Sequence, residues 1–78
     1  EIQLFPNPAS EYIYINQDEI DNVTYRVYDA SGRLEDEFEI QASNSSVMKN
    51  ISHWSSGVKY ISIVQNNNKL GLLTIIKM

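Results

Sequence analysis

The sequence predicts an all-β fold, a small seven-stranded immunoglobulin-like β-sandwich made by one domain over residues 1–78. Three observations carry this. Short runs rich in Ile, Val, Tyr and Thr recur along the chain, separated by clusters of Gly, Asn, Asp, Ser or Pro. No helix-length window shows apolar residues repeating at helical spacing. With 78 residues and no cysteine, the chain has one core at most and no disulfide to brace it. An immunoglobulin-like domain typically takes about 100 residues, so tight loops are expected.

The elements follow in order. "IQLF" (2–5) is a first short strand. "LFPNPAS" (4–10) then brings Pro6 and Pro8, which lock φ and lack an N–H, so they cannot both serve a central strand. Phe5 and Asn7 each precede a proline and are driven toward extended backbone. The stretch reads as a stiff connector between two strands. "YIYIN" (12–16) alternates Tyr12/Tyr14 with Ile13/Ile15, with the isoleucines inward. "QDEIDN" (17–22) is polar and acidic and reads as a turn. "VTYRVYDA" (23–30) places Val23, Tyr25 and Val27 on one face. "DASGR" (29–33) is a turn: Asp29 can bond to backbone ahead of it, and Gly32 supplies a positive φ.

"RLEDEFEI" (33–40) is the next strand, with Leu34, Phe38 and Ile40 on one face and Glu35, Glu37 and Glu39 on the other. Strict alternation leaves Asp36 on the apolar face, which calls for a bulge or a sheet edge there. "QASNSS" (41–46) is a loop and "VMKNI" (47–51) a weak strand. "SHWSSG" (52–57) is a turn, with room for one short helical turn, that points Trp54 into the core. "VKYISIV" (58–64) is a strand, "QNNNK" (65–69) a hairpin loop whose asparagines tolerate left-handed backbone, and "LGLLTIIKM" (70–78) the closing strand. The expected core is Ile13, Ile15, Val23, Tyr25, Val27, Leu34, Phe38, Ile40, Ile51, Trp54, Ile61, Ile63, Leu73 and Ile75.

Charge excludes some functions. The net charge of −4 disfavours a nucleic-acid partner held by phosphate contacts. All ten acids lie in residues 1–39 with two arginines, a balance of −8, while residues 40–78 carry four lysines and no acid, +4. The halves should attract each other within one domain. No apolar run approaches the roughly 20 residues of a membrane-spanning helix, so no direct membrane insertion is expected. No basic-then-apolar leader appears, so an export signal would lie outside this chain.

Catalytic chemistry finds little support. The single histidine, His53, sits in a serine-rich turn with no acid near it in sequence and reads as a solvated turn residue. The acidic "QDEID" (17–21) matches no calcium-loop spacing. "EDEFE" (35–39) reads as a charged face that blunts edge pairing. Tyr12, Tyr14 and Tyr28 could form an aromatic platform for a sugar, or simply cover half-buried sheet. No glycine-rich phosphate loop, cofactor site or metal site is expected, and neither is an enzyme.

The ordered set "LFPNPAS", "YRVYDASGR", "ISHWSSGVKYISI" and "LLTIIKM" closely resembles the C-terminal sorting domain of the type IX (Por) secretion system of Bacteroidetes, type A, over essentially the whole chain. Pro6, Asn7 and Pro8 match the family's opening; Asp29, Gly32 and Arg33 match its turn; Gly57 matches the start of its late strand; and Lys77 matches its terminal lysine. Trp54 stands where the family has Leu. After Gly57 and Val58 the family has Tyr, whereas Lys59 comes first here and Tyr60 second. Either a residue is inserted or lysine takes the tyrosine position.

The resemblance implies a tail of a larger exported protein, following an N-terminal passenger domain in the same parent chain. The type IX translocon would recognise the tail in the periplasm. A sortase-type cysteine protease would remove it, leaving the passenger on the outer-membrane surface or in the medium. The translocon-facing surface is expected at the terminal hairpin with Lys69 and Lys77, where edge backbone groups could pair with a partner strand. Two other readings are an immunoglobulin-like adhesive or carbohydrate-binding accessory module and a structural spacer.

Overall fold

The computed structural model describes residues 2–19, 21–42 and 44–78. Glu1, Ile20 of the predicted acidic turn and Ser43 of the predicted loop lie outside the described residues. The strands are β1 (Ile2–Phe5), β2 (Tyr12–Gln17), β3 (Val23–Tyr28), β4 (Leu34–Ile40), β5 (Ser46–Asn50), β6 (Gly57–Gln65) and β7 (Asn68–Lys77), and no helix forms among the described residues. They make two antiparallel sheets, ordered β1-β2-β5 and β4-β3-β6-β7.

Alternation explains the core between the sheets. Ile13 and Ile15 of β2 face Val23, Tyr25 and Val27 of β3 across the interior, with Ile40, Ile61, Ile63 and Ile75 beside them. All nine are buried. Ile51 and Trp54, in the turn after β5, close one end, and Ala9, between β1 and β2, is also buried. Phe38 and Leu73 pack on the rim, half-buried. The β6–β7 hairpin is tighter than predicted. Strand pairing continues to Gln65 and Asn68, and only Asn66 and Asn67 turn, with φ of 52° and 65°. Two consecutive positive φ values define the two-residue turn that suits the sheet twist, and asparagine tolerates them.

Two predicted placements are corrected. Leu34 is not in the core; it is 49% exposed. Tyr28 pairs with Leu34 but Val27 with Asp36, so Glu35 is an extra residue on β4. This bulge flips the alternation: Leu34 turns outward, while Asp36 stays inward on edge strand β4. Gln17 is not in a turn. It ends β2 on the inward face, buried at 3% exposure, and its Oε1 accepts the Tyr25 hydroxyl at 2.6 Å. Burial, with the Glu19 carboxylate nearby, pushes the Tyr25 phenol well above its usual range.

Candidate functional site

The proline-flanked segment is bound to the edge of the last strand. Thr74 C=O accepts from Asn7 Nδ2 at 3.2 Å, and Ile76 N–H donates to Asn7 Oδ1 at 2.9 Å. Ala9 N–H then donates to Ile76 C=O at 2.9 Å, and Ala9 C=O accepts from Met78 N–H at 2.7 Å. Ala9 and Lys77 form a parallel bridge. Pro6, Asn7 and Pro8 are exposed, and the peptide bonds before both prolines are cis. Since neither proline has an N–H to offer, a side-chain amide supplies both a donor and an acceptor at this point of the edge.

The β3–β4 turn is built by Asp29. Its Oδ1 accepts from Ser31 N–H at 2.9 Å, Ser31 Oγ at 2.7 Å and Arg33 N–H at 3.0 Å. These bonds, the Ser31 hydroxyl first, hold the Asp29 carboxyl below the usual range. Gly32 turns the chain at φ +88°. Arg33 extends into solvent with its Nε 3.8 Å from Asp29 Oδ2. Gly57 opens β6 at φ +121°, a conformation a side chain rarely adopts, and pairs with Lys77.

Under this end of the sandwich lies a charged cluster. Lys59 is 1% exposed, with its Nζ 2.8 Å from Glu35 Oε1 and donating to Ser55 Oγ at 2.6 Å. Ser55 in turn donates through N–H and Oγ to Glu35 Oε2, at 2.9 and 2.7 Å. Asp36 Oδ2 accepts from the Trp54 indole N–H at 2.8 Å and lies 3.2 Å from His53 Nε2 and 3.6 Å from Lys49 Nζ. Lys49 Nζ also sits 4.5 Å above the Phe38 ring centre. Burial pushes the Glu35 carboxyl up, but hydrogen bonds from Lys59 and Ser55 and the Lys59 charge outweigh it and hold it low. For Asp36, burial is likewise outweighed, chiefly by the Trp54 indole and the Lys49 charge. The pairs Lys59–Glu35, Lys49–Asp36 and His53–Asp36 join the acidic and basic halves of the sequence.

A profile of the secretion-system C-terminal sorting domain family matches residues 3–77. The chain belongs to that family. It is a type IX secretion sorting signal, which implies a type IX machinery, a larger parent chain and secretion across the outer membrane. A search of curated proteins gives no match.

The sorting domain keeps its pairing unshifted from Gly57 to Ile63 against Lys77 to Gly71, and Lys59 faces inward. Tyr60 faces outward, opposite Thr74. Lys69 and Lys77 stand at opposite ends of β7, roughly 26 Å apart at ordinary strand rise. Lys69 is exposed. Lys77 is not presented to solvent as expected: it is 8% exposed, on the inward face, and its Nζ donates to Met78 C=O at 2.9 Å. The three tyrosines do not form one platform. Tyr12 and Tyr14 face outward on β2, where Tyr14 stacks on Phe5 with ring centres 5.7 Å apart. Tyr28 belongs to the other sheet. His53 does have an acid partner, since folding brings Asp36 of β4 to it. The family assignment does not favour the adhesive-module alternative.

Proposed function

We propose that the type IX translocon reads this domain folded, in the periplasm, and that a sortase-type cysteine protease then separates it from its N-terminal passenger. The passenger ends joined to anionic lipopolysaccharide on the outer-membrane surface or free in the medium. The domain serves as substrate and address, not as enzyme, within the type A group. The observation that supports this most is a family match that runs from residue 3 to residue 77 and takes in the opening motif, the turn and the terminal strand.

The surface the translocon reads is, in this account, the open part of the β7 edge. Among the described residues no strand pairs with that outer edge, and Asn7 and Ala9 occupy it only from Thr74 onward. Lys69 is exposed at its near end. Beside it a cleft of about 430 Å³ is lined by Ile2, Leu4, Phe5, Leu73 and Ile75, among others. An extended partner strand fits such an edge through its backbone, with alternate apolar side chains in the cleft. Lys77 acts from within, by fixing the end of the strand.

A reporter fused ahead of residues 1–78 in a type IX host tests both parts. Replacing the catalytic cysteine of the sortase-type protease should leave the exported reporter with its tail; normal tail removal there would overturn the protease assignment. Thr74 and Ile76 turn their backbone groups outward, so alternation turns Leu72 N–H outward too. Leu72→Pro removes that donor without breaking the β6–β7 ladder, and should reduce export while the fold persists. Normal export of this variant would remove the edge from consideration.

A further inference from the structure

The far end of the β7 edge is closed by a side chain where a neighbouring strand would ordinarily lie. The Asn7 carboxamide bonds both Thr74 C=O and Ile76 N–H, so it offers the edge the donor and acceptor that one residue of a parallel eighth strand would. Ala9 continues the contact with two backbone bonds and a buried methyl group, at 1% exposure. These four bonds tie residues 7–9 to residues 74–78, across sequence separations of 67 and 69 for the two made by Asn7. Few side chains can do this. Aspartate has the acceptor but no donor, and glutamine is one methylene too long for the same spacing.

We infer that Asn7 is the positioning residue of a latch. The end of β7 holds the segment Pro6–Ser10 against the sheet, and displacing or removing that end frees the segment. The integrity of the last strand is thereby transmitted to the opening motif. The latch is a property of the fold and holds or fails independently of which surface the translocon reads.

Amide hydrogen exchange on the 78-residue chain tests it. In Asn7→Ala, exchange at Ile76 and Ala9 should rise about ten-fold, while Tyr25 and Ile61 in the central strands keep their protection. In Asn7→Asp the acceptor remains, so Ile76 should stay better protected than in Asn7→Ala. Deleting Lys77 and Met78 should make the chain cleavable by a non-specific protease between residues 5 and 12. Unchanged exchange at Ile76 and Ala9 in Asn7→Ala would overturn the latch, as would a uniform rise that includes Tyr25 and Ile61. Should Asn7→Ala fail to fold, the deletion decides it at Ala9: a rise there with Tyr25 and Ile61 still protected supports the latch, and unchanged exchange at Ala9 refutes it.

Discussion

Glu35→Ala leaves the buried ammonium of Lys59 without its carboxylate. Lys59 is 1% exposed, and among the described residues its other hydrogen-bond partner is Ser55 Oγ. Removing one member of a buried ion pair costs about 3–5 kcal/mol. The lower figure applies, because Ser55 remains and the Glu35 side chain is 20% exposed, so the pair is not wholly desolvated. A loss of about 3 kcal/mol is a large part of the ~4–12 kcal/mol expected for a domain of this length. Lys59→Met is the asymmetric control: it leaves Glu35 Oε2 bonded to Ser55 but the buried Oε1 without a partner, and should cost about 1–3 kcal/mol. Urea unfolding followed by Trp54 fluorescence and far-ultraviolet circular dichroism measures both. With m near 1 kcal/mol/M, the Glu35→Ala midpoint should fall by about 3 M. A fall below about 0.5 M, or a larger loss for Lys59→Met than for Glu35→Ala, would refute the view that Lys59 depends on Glu35.

Four further outcomes follow from the same geometry. Leu34→Ser should change stability by less than about 0.5 kcal/mol, whereas Ile61→Ala should cost about 2–5 kcal/mol; equal losses in urea unfolding would mean that the Glu35 bulge is misplaced. Gly57→Ala should cost about 1–3 kcal/mol through backbone strain alone, since nothing lies within 4 Å of the added methyl, and a thermal scan checks this. The folded Glu35 and Asp36 carboxyls are held low, so their contribution is present above the unfolded range and is lost as pH falls below about 4. The Tyr25 phenol is raised, so its contribution is full below its unfolded value and declines as pH climbs past about 10. Tyr25→Phe should abolish that alkaline decline in a pH series of midpoints, at a cost of about 1–2 kcal/mol for the unpaired Gln17 carbonyl.

Local signals in the sequence proved sufficient for the strands and turns. Alternation alone places Ile13, Ile15, Val23, Tyr25 and Val27 inward, and the Asp29–Arg33 turn is legible because every bond that makes it lies within five residues. Leu34 defeats the same counting, since a bulge at Glu35 leaves no mark in a run of acids. Gln17 is polar at an inward position and so reads as part of a turn, until Tyr25 satisfies it; Lys59 shares the inward side of Ile61 and Ile63, and its partner Glu35 lies on a different strand. The grip of Asn7 on Thr74 and Ile76 spans almost the whole chain, so no local pattern could announce it. What the motif offered was an asparagine between two prolines, a residue with both donor and acceptor where the backbone lacks donors.

The most direct test is export itself. Residues 1–78 are attached behind a fluorescent protein carrying a signal peptide and expressed in a Bacteroidetes host with an intact type IX system and in one without it. The account predicts reporter outside the cell, its tail removed, only in the intact host. Reporter held in the periplasm with the tail attached in both hosts, or equal export from both, would contradict it.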